Sequence, residues 1–441
     1  MTIDMMMGGF GRFRTCVLGL LAFAGVQNCF GYSVLAHEAL VDALWDVKIR
    51  GLLLAAYPNS TRDEMKKAHG FAYGGAILQD LGYYPHGSPQ FSDFTHYVRT
   101  GDFIESLIRQ SNDLNELAFS LGALSHYLGD NDGHRYATNV AEPILYPRLA
   151  KKYGAAITYE QDPLGHLKTE FGFDVLEVAR GNFAPEAYHD FIGFHVSKTV
   201  IRKAFRETYG LELEDLFDDF DRSVESFRRA VSKTIPTATR VAWASKQDEI
   251  LKVDPTATRN RFVYAMNRSS YERYWGKDYD KPTPLDRFLA FVLRLLPKIG
   301  PLKALQLKIP NAHVEGLFED SFSRSARQYQ GKLQDVNSKS LQLKNTNYDV
   351  GTVTPAGSYR LDDNIHAFWL NLLAEKDFKT VTPSIKAEIT AYYYDLNAPI
   401  ETRKHKKKWK LLLSQLKALK QQQYTTDPGN YQGGAHQAAR E

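Results

Sequence analysis

An all-α fold built from many helices is what this chain's 441 residues predict. Apolar residues recur at three and four spacing through long segments, which is the helical period. Cap-type residues and prolines punctuate those segments where helices would start and stop. Alternating apolar and polar runs bounded by hairpin turns are almost absent, leaving only the ambiguous pieces KSLQLKN and YDVGTVTP.

The first element is a leader. Arg12 and Arg14 precede the apolar stretch CVLGLLAFAGV, which has the length of a signal-peptide h-region and is short for a membrane span. Cys29, Phe30 and Gly31 put small residues three and one positions before a cut between Gly31 and Tyr32, so residues 1–31 are expected to leave on export. The bland alternative is an uncleaved anchor. The signal would remove Cys16 and Cys29, the only cysteines, so an exported chain has no disulfide to form and no thiolate to offer a metal. The expected destination is secreted or periplasmic.

The helices follow in order. HEALVDALWDVKIRGLLLAAY carries helical spacing from His37 to Tyr57 and is stopped by Pro58, Asn59 and Ser60. Ser60 or Thr61 then caps TRDEMKKAHGFAYGGAILQDLG. Ser92 is the expected cap of the helix carrying His96. A long helix is predicted from near Asn112 to His134, and further helical patterns run through EDLFDDFDRSVESFRRAVSKT, TPLDRFLAFVLRLLPKI, HAFWLNLLAEKDF and TPSIKAEITAYYYDLNA. Pro284, Pro297, Pro301 and Pro310 break up the chain where a helical subdomain over 280–400 would begin. The body is therefore read as 32–400, its motifs concentrated in 32–200, with a basic amphipathic helix and a disordered polar tail over 401–441.

Charge narrows the partners. Beyond residue 31 there are 53 Lys and Arg against 50 Asp and Glu, and the last 41 residues hold nine of the bases and three of the acids. The body is slightly acidic, which gives no support for the broad basic face of a duplex-binding protein. No later segment has the apolar length of a transmembrane helix.

The motif that carries chemistry is His126, Asp130 and His134, spaced four apart in SHYLGDNDGHRYATN, followed by His166 and Glu170 in GHLKTE. Four-residue spacing stacks side chains on one helical face, so each group presents converging imidazole and carboxylate ligands. Zinc is the expected ion, and there are more ligands here than one tetrahedral ion accepts. Burying the first three without a metal would leave costly unpaired polar atoms. Histidines standing alone on apolar faces are read as hydrogen-bonded core residues, namely His69, His189, His195, His313 and His366. His86 is read as a surface residue near the cleft.

HYLGDNDGHRYATN resembles the signature of the zinc-dependent phospholipase C family, and the ligand order is similar to that of the S1/P1 nucleases on the same all-helical fold. The resemblance runs over Tyr32 to Glu170 and implies three zinc ions held by Tyr32, His37, Asp80, His96, His126, Asp130, His134, His166 and Glu170. It implies one ion on Asp80, His96 and His126, a second on His134, His166 and Glu170, and a third on His37 and the backbone amine and carbonyl of Tyr32, with Asp130 bridging the first and third. Tyr32 stands where the family has Trp, a tolerable change because the backbone supplies the ligands. Asp80 is the catalytic candidate, orienting or deprotonating the attacking water, and Asn139 is a candidate for orienting a ligand.

The expected activity is phosphodiester hydrolysis by a metal-activated water, with glycerophospholipid as substrate. A single-strand nuclease is the alternative, and a non-catalytic module held together by zinc is a further one. Residues 285–309 and the basic helix TRKHKKKWKLLLSQLKALK suggest contact with an anionic membrane surface, Trp409 at headgroup depth, against a plainer reading as a core helix and a docked tail. No obligate protein partner is implied.

Overall fold

The computed structural model describes residues 33–180, 195–230 and 307–422, together with 248, 251, 252 and 255. The leader, Tyr32, His189, Pro284, Pro297, Pro301 and the polar tail lie outside the described residues, as do residues 285–306. What is described is helical, and its one β-bridge pairs Asn347 with Thr352. The two strand-like pieces of sequence are therefore turn and extended chain. Among the described residues no helix is long and apolar enough to cross a membrane.

The expected helix from His37 begins earlier and is built in three pieces. Helix α1 spans Val34–Leu44, a π-helical turn covers Trp45–Ile49, and α2 continues over Arg50–Ala56. Helix α3 spans Arg62–Gly75 and is capped by Thr61, whose hydroxyl accepts from Glu64 N at 3.2 Å while Glu64 Oε2 accepts from Thr61 N at 2.7 Å. A 3-10 turn at Gln79–Tyr83 leads to α4, Pro89–Tyr97. Ser92 thus lies inside a helix that starts at Pro89, the favoured first-turn position for proline, and not at its cap. Its hydroxyl instead accepts from Gly82 N at 3.1 Å and donates to Gln79 O at 2.5 Å, tying the 3-10 turn to α4.

Helix α5 is Thr100–Gln110, and α6 is Leu114–Gly133, capped by Asp113, which accepts from Asn115 N and Glu116 N at 2.8 Å each. A second π-helical turn, His134–Thr138, carries α6 into α7, Asn139–Leu145. Helices α8, Pro147–Tyr153, and α9, Pro163–Arg180, follow, then α10, Lys198–Tyr209, and α11, Phe220–Arg229. After the break come α12, Ala312–Asn337, α13, Arg360–Glu375, α14, Pro383–Tyr392, and α15, Lys406–Gln421.

Helix α6 is the axis of the assembly and is buried along nearly its whole length. Helix α3 crosses it at glycines: a Cβ on Gly122 would be driven into the Ala72 carbonyl, and one on Gly75 into the Phe119 carbonyl. Close approach lets the backbones share side-chain bonds, with Gln79 Nε2 donating to Ala123 O at 3.0 Å. Helix α12 lies along the same α6, where Tyr329, fully buried, donates to Leu121 O at 2.8 Å. Trp369 of α13, also fully buried, donates to Tyr209 O at 2.8 Å and closes α13 onto α10. One apolar cluster runs from Val34 to Leu419 and takes in residues of 312–421 with those of the motif region.

Helix α15 docks by Leu412, Leu416 and Leu419, and Trp409 is half-buried with the Arg403 guanidinium 5.7 Å from its ring centre. Its apolar stripe is covered by the body while Lys406, Lys407, Lys408 and Lys410 face outward. His69 and His366 are buried and partnered, with His69 Nε2 3.0 Å from Asp42 and His366 Nδ1 2.8 Å from Asp362. Two other histidines depart from the core reading: His313 is exposed in the first turn of α12, and His195 is half-buried against Phe71. His86 is exposed.

The glycine crossing predicts that Gly122→Ala, a methyl forced onto backbone, destabilises the fold by about 1–3 kcal/mol or more. A lower urea midpoint at unchanged slope is the expected result.

Candidate metal centre

Four separate pieces of chain deliver the ligand-type side chains: His37 from α1, Asp80 from the 3-10 turn, His96 from α4, and His126, Asp130 and His134 from α6 and its π turn. A fifth, α9, adds His166 and Glu170. At 100° per residue, positions 126, 130 and 134 fan out by about 40° per step, so the two histidines point about 80° apart with Asp130 between them. That fan is why one helix serves two sides of a site.

Three groups result, each with ligand atoms within 4.8 Å of one another: His37, His126 and Asp130; Asp80, His96 and His126; and His134, His166 and Glu170. All eight residues are at most 1 % exposed. Asp130 stands at the junction. Its Oδ1 lies 3.2 Å from His37 Nε2, while its Oδ2 lies 3.4 Å from His96 Nε2 and 3.0 Å from His126 Nε2. Each oxygen therefore faces a different side of the cluster. Asp80 Oδ1 is 3.5 Å from His96 Nε2, and Glu170 Oε1 is 2.7 Å from His166 Nε2 and 3.7 Å from His134 Nε2.

These separations suit a shared cation. Nitrogen and oxygen ligands of one tetrahedral zinc, each about 2.0–2.1 Å from the ion, sit about 3.3 Å apart. Asp80 Oδ2, Glu170 Oε2 and His134 Nε2 have no hydrogen-bond partner in the protein, and the Nε2 atoms of His96, His126 and His166 face only carboxylate oxygens of the same cluster. Such atoms, fully buried, are costly unless something between them takes their lone pairs.

The opposite edge of three imidazoles is fixed by backbone carbonyls. His96 Nδ1 donates to Ser92 O and His126 Nδ1 to Ala76 O, each at 2.8 Å, and His134 Nδ1 donates to Tyr348 O at 3.1 Å. A proton held on Nδ1 leaves the Nε2 lone pair pointing into the site, the tautomer a metal needs.

Protons alone satisfy the cluster poorly. Burial holds the His166 imidazole well below its usual range and pulls His134 down to about 4 against the attraction of Asp130. Burial also opposes a charge on His96, yet the facing Asp130 and Asp80 carboxylates together push it up to about 10. Glu170 is pushed well above the carboxylate range by burial and then by Asp130 and Asp80. A divalent cation would meet the needs of both the neutral imidazoles and the crowded carboxylates.

Tyr32 lies outside the described residues, but its neighbour is anchored beside the site. Asp174, one helical step past Glu170 on α9, accepts a hydrogen bond from the Ser33 hydroxyl and another from Leu35 N at 3.3 Å. Asn139 does not reach a ligand with its amide, which donates instead to Asp349 O at 2.7 Å.

An aromatic wall escaped the sequence reading. Tyr83 and Tyr159 pack together, Tyr83 with its ring 5.8 Å from that of His96 and Tyr159 with its ring 5.6 Å from that of His166. Tyr83 donates to Asp93 Oδ1 at 3.4 Å, and burial pushes that carboxyl up to about 7. The two tyrosines are 76 residues apart in the chain, and no local pattern pairs them.

Residues 36–218 match the family model described as zinc dependent phospholipase C. That span contains His37 and every other candidate ligand among the described residues. No curated protein and no solved structure matches the chain.

The purified protein is expected to carry zinc, read by elemental analysis, and a chelator is expected to lower its melting temperature, with restoration by zinc. Metal present at a thousand times its dissociation constant adds about 4 kcal/mol, so the shift should be large. Asp130→Ala, which removes the junction, is expected to lower the metal content more than Glu170→Ala.

Proposed function

From the premise that the 36–218 domain belongs to the zinc-dependent phospholipase C family, we propose that this chain is an exported phospholipase C. It hydrolyses the phosphodiester bond of glycerophospholipids with a set of three zinc ions, the third completed by Tyr32 as the first residue of the processed form. The single observation that carries the reading is the junction at Asp130, where one buried carboxylate faces three imidazoles from three helices. Zinc bound there supplies Lewis acidity for the phosphoryl oxygens and makes water a nucleophile near neutral pH.

The chain's own groups have definable tasks. Asp80 has two carboxylate oxygens, so one can face a cation while the other orients an incoming water or accepts its proton. The carbonyl-fixed imidazoles keep their lone pairs inward without rearrangement, which preorganises the site. The apolar packing around the ligands excludes bulk water and strengthens every charge interaction inside.

The preference for lipid over nucleic acid rests on the family match and on the slightly acidic body, which offers a polyanionic strand no broad basic face. The outward lysines of α15 support a weak attraction to anionic lipid, about 1 kcal/mol per residue near the surface.

The test compares release of soluble phosphorylated headgroup from phosphatidylcholine vesicles with cleavage of single-stranded DNA and RNA. Lipid turnover abolished by chelator is expected. Nucleotide release without lipid turnover would overturn the substrate assignment, and neither activity in zinc-loaded protein would favour the non-catalytic module.

A further inference from the structure

The segment 343–352 lies more than a hundred residues beyond the matched domain, yet it runs against the ligand-bearing helices and touches the site at two points. It is pinned along α5 and α6: Leu343 N donates to Glu105 Oε1 at 2.6 Å, Tyr127 donates to Lys344 O at 2.9 Å, and Thr100 donates to Thr346 O at 2.7 Å. At its end the chain turns sharply, with Gly351 N donating to Asn347 O at 2.8 Å. Gly351 has φ 66°, and a Cβ there would crowd the Asn131 carbonyl of α6, so the turn is seated directly on the helix that carries Asp130.

Two residues of this strap reach the ligands. Tyr348 N donates to His96 O at 3.0 Å, and its own carbonyl accepts from His134 Nδ1 at 3.1 Å. Asp349 Oδ1 lies 3.7 Å from that same Nδ1, and Asp349 is 1 % exposed. Its Oδ2 is held by Tyr359, donating at 2.7 Å, and by Tyr159 N at 3.0 Å, so the carboxylate is fixed from two directions.

Resting on the metal reading above, we propose that the 343–352 strap is a positioning element of the metal centre, the Tyr348 carbonyl orienting His134 and the Asp349 carboxyl beside it strengthening that ligand. The Tyr348 carbonyl, hydrogen-bonded to Nδ1–H, fixes the tautomer and the ring plane, and the buried Asp349 carboxylate 3.7 Å away raises the basicity of Nε2 through its charge. The Tyr348 carbonyl alone would fix the proton, while the Asp349 charge adds strength as a ligand. The same carboxylate, through Tyr159 N, sets the backbone of the residue whose ring packs on His166. Asp349 therefore acts on the His134, His166 and Glu170 group and leaves the Asp80 side to other residues.

The experiment uses the full chain and zinc alone as the probe. Metal-free wild type, Asp349→Asn and Tyr359→Phe are titrated with zinc against a chromophoric chelator, and cobalt-loaded forms are compared by visible absorption. Asp349→Asn is expected to weaken one class of site by about 10–100-fold, the range for lost outer partners of a metal-bound histidine, while leaving the rest unchanged. Tyr359→Phe is expected to give a smaller loss at the same class, and both variants to shift the cobalt bands. Circular dichroism of the metal-free proteins checks the fold. If Asp349→Asn does not fold, the decision passes to Tyr359→Phe, whose ring stays in place. Affinities and cobalt spectra equal to wild type would overturn the proposal alone; a wild-type chain that takes up no zinc would overturn it together with the metal reading.

Discussion

Three carboxylates and five imidazoles placed at the centre of an apolar core impose the constraint that the rest of this structure answers to. Moving an uncompensated charge out of water costs several kcal/mol even after relaxation, so Asp80, Asp130 and Glu170 are tolerable only where histidines, and a cation between them, share the burden. Asp130 concentrates the problem because it meets His37, His96 and His126 at once. The helices around it can be understood as devices for holding those contacts at ligand spacing.

Two devices recur. The first is close backbone approach: glycines at 75 and 122 let α3 and α6 come near enough for the Ala76 carbonyl to accept a hydrogen bond from His126 Nδ1. The second is departure from regular α-helix. The π-helical turn at His134–Thr138 falls where α6 must deliver His134 to another side, and Asp80 is presented from a 3-10 turn held by Ser92. The 3-10 turn is held because the Ser92 hydroxyl takes the Gly82 N–H and donates to the Gln79 carbonyl. The same logic brings Asp174 back to Ser33, fastening the beginning of α1 to the helix that carries Glu170.

Much of this was legible in the chain. Helical period and capping gave the all-α class, the long α6 and a start of α3 at Ser60 or Thr61, of which the structure uses Thr61, because these signals are local and each helix must bury one face. The run His126, Asp130, His134 announced a metal site by spacing alone. His37 and Asp80 did not stand out by any spacing; only the ligand order of a family placed them, and the structure brings both to the site. Ser92 was misread as a cap because Pro89, three residues earlier, is the stronger start signal. His313 and His195 were misread as core residues because a single histidine has no periodic context to show which way it faces.

What the sequence determined by itself is therefore the chemistry of short range: which segments are helical, which residues carry ligand atoms, and which of those share a helical face. These follow from the fixed rise and turn of the helix. Tertiary structure decided everything that depends on residues far apart meeting: the junction on Asp130, the tyrosine pair 83 and 159, the strap at 343–352 behind His134, and the covering of the α15 apolar stripe. Such contacts are selected by the packing of whole helices against one another. No local period encodes that packing, so Tyr348 and Asp349 look like loop residues until the fold sets them against His134.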